Sequence, residues 1–349
     1  MRLFALLGSL CLVLILVACA APAPAPAPIA PTPGPTPSPV PGPAAPAPAP
    51  KVIKLKAVIF LPVPQVVKPM NILIDKVNKM SKGELVIEFL GAQEVIAGVD
   101  QPEAISKGVI DMGAIPGTYA STLVPAIKAI QMLKGTPQEL RARGWYEVVN
   151  EMMAKVNLYE LGGADYGNDR LLWTSVPVRT IEDIDGLKLR AIGTDLNFAK
   201  ALGASTITVS LPEIYTSMER GLIQGFFMAS PTTFTRKIYE VSNYCLDHSL
   251  FSGMDLSFWI NRDTFHRLPA HLQKILQDAM IETEKEFTPI MAETMAKARA
   301  EMDAAGIEWV TFPPEEAARY LSLFHDINWK IIIEENPEFG PRLREADGS

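Results

Sequence analysis

Hydrophobic and polar positions form a regular pattern from Lys51 onward, and this pattern divides the chain into short strands and helices. Residues 55–60 and 85–89 are short runs rich in branched and aromatic residues, as is typical of strands. Between them, residues 65–80 carry apolar side chains at helical spacing, and Gly83 follows as a stop signal. A strand, a helix and a second strand in this order predict a right-handed parallel unit.

The same pattern continues through the rest of the chain. Further strands are predicted at residues 156–161, 171–175, 187–192, 256–261 and 309–312, and helices at residues 194–202, 212–219 and 232–241. The longest helical pattern runs over residues 269–305, and Pro289 within it predicts a kink or a break. This mixture of elements indicates an α/β protein.

One segment of the chain echoes another. Residues 107–114 resemble residues 220–227: each segment follows a predicted helix, turns at a glycine and enters an apolar strand. Glycine suits such a turn because a helix often ends with a residue at positive φ. The echo suggests two lobes of similar build, although a chance similarity of two helix-to-strand turns is an equal alternative.

The first residues have the features of an export signal. A positive charge at Arg2 precedes an almost wholly apolar run over residues 3–17, and small residues follow at a cleavage position. The run is shorter than the ~20 residues that span a bilayer, which disfavours the alternative of an uncleaved membrane anchor. Leu16-Val17-Ala18-Cys19 resembles a bacterial lipobox. We therefore predict a lipoprotein signal peptide over residues 1–19, with Cys19 acylated.

Residues 20–50, which follow the predicted signal peptide, differ in composition from the rest of the chain. Residues 20–50 contain 14 of the 30 prolines and no charged residue, so they cannot build a core. Alternating proline favours an extended polyproline helix, which acts as a semi-rigid spacer. An Ala/Pro-rich tether between a lipid and a domain is the simplest interpretation, and a ligand for proline-binding modules is the alternative.

Composition and charge narrow the function classes. Hydrophobic residues make up 48% and charged residues 20% of the chain, which excludes a disordered protein and a membrane protein with several spans. A net charge of −7 argues against nucleic acid as a partner. The familiar nucleophile, phosphate-loop, dinucleotide and zinc-protease motifs are absent from the sequence, and its four histidines are scattered. We expect no catalytic residues, no metal and no cofactor, and hence no enzyme.

Several motifs carry a family resemblance. The segment Arg170-Leu-Leu-Trp-Thr-Ser-Val-Pro-Val-Arg-Thr-Ile-Glu-Asp-Ile-Asp-Gly-Leu-Lys-Leu-Arg190 resembles the DctP-type solute receptors of tripartite ATP-independent periplasmic (TRAP) transporters. Residues 103–113, 201–204, 211–221 and 237–241 are similar to further motifs of that family, in the same order. The resemblance covers nearly all of residues 52–330.

The resemblance implies a two-lobed periplasmic binding protein fold of the α/β class, with hinge crossovers and a long C-terminal helix spanning both lobes. We therefore predict a two-lobed solute-binding domain over residues 51–349. Its first lobe would comprise about residues 51–168 plus about 253–285. Its second lobe would comprise about residues 169–252 plus the C-terminal part.

The resemblance also implies the central site residue. In this family the arginine of the Lys-[Ile/Leu]-Arg motif binds the ligand carboxylate through two hydrogen bonds, and in this sequence that position is Arg190. The arginine that opens the preceding strand commonly assists, and that position is Arg170. Alternation along the strand places Arg190 on one face with Lys188, and a guanidinium matches a carboxylate bidentately. The alternative is a surface arginine paired with Asp183 or Asp185. Asp169, which precedes Arg170, is expected either to face away or to neutralise it partly.

The next family signature departs from its usual form. Polar residues are replaced in the segment Gln224-Gly-Phe-Phe-Met-Ala-Ser-Pro231, and the glutamate that ligates a metal in some members is missing, so a metal-free site is expected. Phe227, Met228 and Ser230 are candidate ligand contacts. Alternation sends Phe226 and Phe227 to opposite faces, and Phe227 is favoured as the one facing the cleft.

The first lobe is apolar where its strands end. Loops at the carboxyl ends of strands line the ligand crevice of open α/β folds. Phe60, Tyr119 and Gln93 lie in such loops and are therefore candidate pocket residues. An acid with a hydrophobic or aromatic body fits these residues better than a small polyhydroxy acid.

The expected function follows from these features. We expect an exported, lipid-anchored receptor, in the periplasm or at the cell surface, that binds an organic acid and delivers it to TRAP membrane subunits. Two alternatives stay open. One is a receptor for an ABC importer or a sensor kinase, and the other is an exported enzyme with an unrecognised site.

Overall fold

A computed structural model of the chain describes residue 34 and residues 52–164, 169–251 and 256–348. The expected signal peptide with Cys19, and the expected tether apart from Gly34, lie outside the described residues. In the described ranges, no helix combines the length and the apolar character needed to cross a membrane.

Strands and helices alternate along the described chain, as expected for an α/β protein. The strands are β1 (Ile53–Ile59), β2 (Leu85–Gly91), β3 (Met112–Pro116), β4 (Leu158–Ala164), β5 (Leu171–Thr174), β6 (Lys188–Arg190), β7 (Ser205–Ile207), β8 (Gly225–Met228), β9 (Tyr244–Leu246), β10 (Leu256–Asn261) and β11 (Glu308–Val310). The helices are α1 (Pro64–Met80), α2 (Gln101–Ser106), α3 (Pro137–Ala142), α4 (Trp145–Met153), α5 (Thr194–Ala201), α6 (Ile214–Glu219), α7 (Ser230–Thr235), α8 (Arg262–Arg267), α9 (Ala270–Ala304), α10 (Pro314–Glu335) and α11 (Gly340–Asp347).

The first sheet is built mainly from the N-terminal part of the chain, and we call the body around it the N-terminal lobe. Its strand order is β2-β1-β3-β10-β4. β1 pairs in parallel with β2 and with β3, which confirms the parallel pairing predicted for the first strand–helix–strand unit. β10 pairs antiparallel with β3 and β4, so a strand from late in the sequence completes this lobe.

The second sheet has the order β11-β9-β5-β8-β6-β7, and we call the body around it the C-terminal lobe. β6 pairs in parallel with β7 and β8, whereas β5 pairs antiparallel with β8 and β9. The chain crosses from the first sheet to the second after β4, returns between β9 and β10, and crosses again after α9 to form β11. The predicted two-lobed architecture with several crossovers is therefore confirmed.

The internal echo in the sequence corresponds to a repeated element of structure. Gly108 follows α2 with φ of 71°, and Gly221 follows α6 with φ of 67°, so both turns need a positive φ. The strands that come next, β3 and β8, occupy the same place in the two sheets. Each pairs in parallel with one strand (β1 or β6) and antiparallel with another (β10 or β5). The similarity thus reflects a shared topology.

The predicted long helix is present; of the two outcomes predicted at Pro289, the break is wrong and the kink stays a prediction. α9 continues over 35 residues through Pro289. Proline leaves one backbone carbonyl of the preceding turn without its helical donor. Packing on both lobes holds the helix nevertheless: Phe287 and Met291 are buried in the core of the N-terminal lobe, and Met302 is buried in that of the C-terminal lobe. Tertiary contacts therefore outweigh the local cost.

Each sheet is covered on both faces. One face of the first sheet packs against α1 and α9, and one face of the second packs against α6 and α9. The opposite faces of both sheets share one core with α4, α5 and α10. Side chains therefore alternate between two cores along a strand, and apolar residues on both faces of β8 are buried.

The helix predicted at residues 232–241 is divided in the structure. α7 ends at Thr235, and a separate turn of 3₁₀ helix covers Ile238–Val241. Lys237 has φ of 55° between them, a left-handed conformation that interrupts the helix.

Candidate functional site

A cavity of about 240 Å³ is lined by residues of both lobes. The N-terminal lobe contributes the loop after β1, the start of α1 and the loop after β3. The C-terminal lobe contributes the ends of β6 and β8, the start of β5 and one face of α7. Five of the predicted contacts line it: Phe60, Tyr119, Arg170, Arg190 and Met228.

Arg190 is a buried cation at the end of β6. The strand pairs it with Phe226 of β8 and Ile207 of β7, and only 5% of the residue is exposed. Its Nε donates a hydrogen bond to the carbonyl of Val209 at 3.3 Å, and it forms no ion pair with any described residue. Burial, and then the positive charge of Arg170, lower the pKa of Arg190 to about 10, against the opposing effect of Asp195. An anion entering the cavity would compensate this charge.

The alternative partners expected for Arg190 are engaged or lie elsewhere. Asp183 accepts hydrogen bonds from the backbone N–H groups of Arg179 and Thr180, at 2.8 and 2.9 Å, and so completes the N-terminal capping box of the 3₁₀ turn Ile181–Ile184 in which it lies. These bonds lower the pKa of Asp183. Neither Asp183 nor Asp185 forms an ion pair with Arg190, so neither of these two carboxylates holds the guanidinium.

Arg170 is paired with Asp195, and of the two alternatives expected for Asp169, partial neutralisation of Arg170 is not the one the structure shows. Arg170 forms an ion pair with Asp195 of α5, and its Nε donates to Asp195 Oδ2 at 3.1 Å. Asp169 instead accepts hydrogen bonds from the backbone N–H of Ser230 at 2.6 Å and from the Ser230 hydroxyl. Burial raises the pKa of Asp169 despite these bonds. Arg170 is thus held in place beside Arg190, while Asp169 fixes the start of α7.

Aromatic and aliphatic side chains form the wall that the N-terminal lobe contributes. The rings of Phe60 and Tyr119 meet edge to face, with centroids 6.0 Å apart and an interplanar angle of 77°. Leu61, Val63 and Pro116 extend this wall. Such a surface suits the apolar body of a ligand rather than its charged group.

Three predicted contacts do not line the cavity. Phe227 is fully buried and packs against Phe198, with ring centroids 6.3 Å apart, because both faces of β8 are covered by core. The expectation that Phe227 faces the cleft is therefore wrong. Gln93 is exposed in the turn after β2, away from the cavity. Ser230 is buried, and its hydroxyl is used by Asp169.

Other lining residues were not found from the sequence. Gln131 lies in a 3₁₀ segment, and its Oε1 accepts a hydrogen bond from the Thr194 hydroxyl at 2.8 Å, close to the loop that follows Arg190. Arg236 lines the cavity from the end of α7. Asp195, next to the cavity, could have been suspected as an acidic residue in the first turn of a helix. Gln131 and Arg236 reach the site through tertiary packing and carry no sequence signal.

The cavity combines charged and apolar groups that can contact a ligand. Among the described residues that line it, none is a histidine, cysteine or lysine. The part of the chain that the structure describes also contains no group of three or more His, Cys, Asp or Glu residues that could hold a metal ion. The arrangement offers a guanidinium fork, a second held arginine and an apolar wall.

The sequence matches one family model, and relatives of known function are similar to it over most of their length. The family model described as bacterial extracellular solute-binding protein, family 7 (DctP), matches residues 65–327. The 2,3-diketo-L-gulonate-binding periplasmic protein YiaO of Escherichia coli is 30% identical over 257 residues, which are 68% of this chain and 74% of that protein. The sialic acid-binding periplasmic protein SiaP of Vibrio cholerae is 25% identical over 258 residues, 71% of this chain and 79% of that protein.

Solved structures share the fold. A TRAP periplasmic solute-binding protein from Ochrobactrum anthropi, with a C-terminus bound in its ligand pocket, gives a TM-score of 0.75 at 20% identity and covers 85% of this chain and 95% of its own. One from Desulfovibrio salexigens with bound orotic acid gives a TM-score of 0.74 at 17% identity, covering 84% of this chain and 97% of its own. At this level of identity the likeness concerns the fold alone.

Proposed function

This chain belongs to the DctP family of bacterial extracellular solute-binding proteins, and from that premise we propose that it is a receptor for an organic carboxylic acid with a hydrophobic or aromatic body. The acid binds in the cavity between the two lobes, with its carboxylate on the Arg190 fork and Arg170 beside it. The receptor then delivers the acid to the membrane subunits of a TRAP-type transporter. The protein thus binds and releases its ligand without changing it chemically.

The state of Arg190 is the observation that carries this proposal. A buried guanidinium without a carboxylate partner among the described residues is costly unless a ligand compensates it. Because Asp195 already engages Arg170, Arg190 is the arginine of this pair that has no ion-pair partner among the described residues. A carboxylate can accept two parallel hydrogen bonds from the fork, which provides both affinity and orientation.

The opposite wall supports an apolar body for the ligand. Phe60 and Tyr119 present an edge-to-face aromatic pair, and Met228 contributes a polarisable side chain from the other lobe. Ligand sites typically combine such apolar lining with a few polar groups that fix orientation. A small polyhydroxy acid would leave its hydroxyls facing these side chains without hydrogen bonds.

Relatives are in keeping with this ligand class. Other TRAP periplasmic solute-binding proteins of similar fold have been solved with bound galacturonate and glucuronate, from Sulfitobacter and Roseobacter denitrificans. Those ligands are carboxylic acids, and the present proposal differs in giving the acid a less polar body.

The test begins with a thermal-shift screen against carboxylic acids, since a ligand at 100 Kd adds ~2.7 kcal/mol to native stability. For each acid that stabilises the protein, calorimetry compares wild type with Arg190→Ala and Arg190→Lys. Truncating one partner of a desolvated ion pair should cost about 2 to 5 kcal/mol, or roughly a 30- to 4,000-fold weaker Kd. Arg190→Lys keeps the charge but loses the fork, so it should also bind poorly.

Arg220→Ala is the matched control, because Arg220 is an exposed arginine of the same lobe that does not line the cavity. It should bind like wild type. If folded Arg190→Ala binds the acid within about threefold of wild type, the assignment of Arg190 as the carboxylate anchor is wrong.

We also propose that the receptor is exported and anchored through a lipid on Cys19, with residues 20–50 as its tether. The lipobox-like sequence followed by charge-free Ala-Pro supports this. Wild type and Cys19→Ala, expressed in a bacterium, should separate on detergent partitioning, with only wild type in the detergent phase. Equal release of both into the aqueous phase would rule the anchor out.

A further inference from the structure

The cavity holds a third arginine at a distance from the first two. Arg236 follows the last residue of α7 and is half-buried, and its side chain forms no hydrogen bond or ion pair with any described residue. Thr232, one helical turn earlier, also lines the cavity, and its hydroxyl forms no hydrogen bond with the described residues. Residues four apart are neighbours on one face of a helix, so the guanidinium and the hydroxyl belong to one surface.

α7 separates this surface from the carboxylate anchor. Its first residue, Ser230, is bound to Asp169, which directly precedes Arg170 in the sequence. The helix therefore begins at the end of the cavity where Arg170 and Arg190 lie. Six residues of α-helix rise about 9 Å along the axis, so Arg236 stands at the other end of the same wall.

The arginines at the two ends of the cavity differ in whether a negative charge balances them. Arg170 is held by Asp195, and Arg190 is assigned to the ligand carboxylate by the proposed function. Among the described residues, the Arg236 side chain has neither a carboxylate nor a backbone carbonyl as a partner, although its neighbour Lys237 lies close to Glu240, with 3.8 Å between Nζ and Oε1. A guanidinium that lines a ligand cavity with all its donors available is suited to bind an anionic group of the ligand.

We propose that Arg236 and Thr232 form a distal subsite for a second anionic group, so that the acid recognised by this receptor is elongated and carries negative charge at both ends. The proposal rests on the proposed function, because Arg190 must take the first carboxylate. Short acids would reach Arg190 without reaching Arg236. Chain length therefore becomes a determinant of specificity alongside charge.

The experiment uses matched pairs of acids on the full-length protein. Octanoate is compared with octanedioate, and phenylacetate with phenylenediacetate, while butanoate and butanedioate serve as a pair too short to span α7. Calorimetry with wild type should give the long diacids about tenfold tighter binding than the matching monoacids, the gain expected from one charge-assisted hydrogen-bonding contact. The short pair should show no such gain.

Arg236→Gln should remove the preference for the long diacids while leaving the monoacids unchanged, and Arg236→Lys should retain part of it. Lys237→Gln is the control, because it makes the same change of charge one residue away on an exposed side chain that does not line the cavity. Thermal melting without ligand checks that each variant is folded.

Each outcome decides between the two proposals. Equal binding of monoacids and diacids by wild type, or an unchanged preference in Arg236→Gln, overturns the distal subsite and leaves the proposed function intact, provided that Arg190→Ala still abolishes binding. A preference lost equally in Lys237→Gln also overturns it, because general charge would then be the cause. Absence of binding by every acid of the series and of the wider screen overturns both proposals.

Discussion

The two lobes have the same central topology and opposite chemistry. In each, a strand preceded by a helix and a glycine turn lies between a parallel and an antiparallel neighbour. Val58 pairs with Gly113 in the N-terminal lobe, and Arg190 pairs with Phe226 at the corresponding register of the C-terminal lobe. Val58 is buried in core, whereas Arg190 reaches the cavity. The repeated topology builds the two walls, and individual side chains determine what each wall binds.

The lobes also differ in which ionisable residue they bury. The N-terminal lobe buries Glu160, whose Oε1 accepts a hydrogen bond from the Ser257 hydroxyl at 2.8 Å, while Oε2 has no partner among the described residues. Burial raises the pKa of Glu160 to about 8. The C-terminal lobe buries Arg190. Arg190 lines the cavity, whereas Glu160 does not line it. The buried guanidinium of Arg190 therefore lies where a ligand can reach it, whereas the buried carboxyl of Glu160 bears on stability.

Glu160→Gln gives the largest expected effect on stability. With a folded-state pKa of about 8 against an ordinary value of 4.5, native Glu160 is protonated where the unfolded chain is ionised. The free energy of unfolding of wild type should therefore fall as pH rises from about 4.5 to 8, by up to a few kcal/mol. Gln mimics the protonated acid and should remove this fall, so the variant gains most at pH 8. Urea unfolding at pH 5 and pH 8 measures the difference.

Glu284→Gln serves as the contrasting control in the same lobe. Glu284 is also buried, but Arg141 donates to it at 2.6 Å, so removing its charge breaks this ion pair and should destabilise the protein. If Glu160→Gln leaves the pH dependence of wild type unchanged, Glu160 is ionised in the native state and the contrast between the lobes fails.

Gly225→Ala tests how tightly the repeated strand is packed in the C-terminal lobe. An added Cβ would lie 2.6 Å from the backbone carbonyl of Trp173, so β5 must shift, at a cost of about 1 to 3 kcal/mol. Gly113→Ala is the comparison in β3, where the closest contact would be 3.1 Å to a side-chain methyl. Thermal unfolding should show the larger loss for Gly225→Ala, and equal losses would contradict the difference in packing.

Phe60→Ala probes the apolar wall. It should weaken binding of an acid with an aromatic body about tenfold, since an aromatic contact of this kind contributes about 1 kcal/mol beyond the buried area. The loss should be smaller than that of Arg190→Ala and should shrink for acids with a small body. Calorimetry with a small and a large acid gives both ratios. A loss independent of ligand size would show that Phe60 acts through the fold instead.

Phe227→Leu has the smallest expected effect. Because Phe227 packs against Phe198 inside the core, the change should lower stability by about 1 kcal/mol and leave ligand binding within about twofold. Met228→Ala, one residue further and in the cavity, should affect binding more than stability. The reverse result for the pair would restore Phe227 as a ligand contact.

Much of the fold could be predicted from local pattern. The strand at residues 256–261 and the helix ending at Met80 were predicted at the bounds they have, because apolar periodicity and glycine stops act over a few residues. The continuity of α9 through Pro289 could not be predicted from local pattern, because contacts with both lobes stabilise the helix there. The left-handed Lys237 that ends α7 carries no signal of the kind glycine gives.

The site was predictable only in part, for a related reason. Arg190 was assigned from strand position together with a family pattern, and it lies in the cavity. Phe227 was misassigned because alternation gives two faces but does not tell whether a face meets ligand or core. Arg236 and Gln131 come from segments far apart in sequence and meet the cavity only through packing. Their roles depend on distances that no local pattern encodes.

The long helix that joins the lobes has a mechanical consequence. All of α9 lies in the described part of the chain, none of its residues lines the cavity, and its two ends are packed into different lobes. A rotation of one lobe against the other would therefore have to bend this helix or slide it over one of the cores, so an open and a closed state would differ in elastic energy. Observed affinity scales with the fraction of molecules in the binding-competent state. A substitution in the middle of α9 would change that fraction, and with it the observed affinity, without any contact with the ligand.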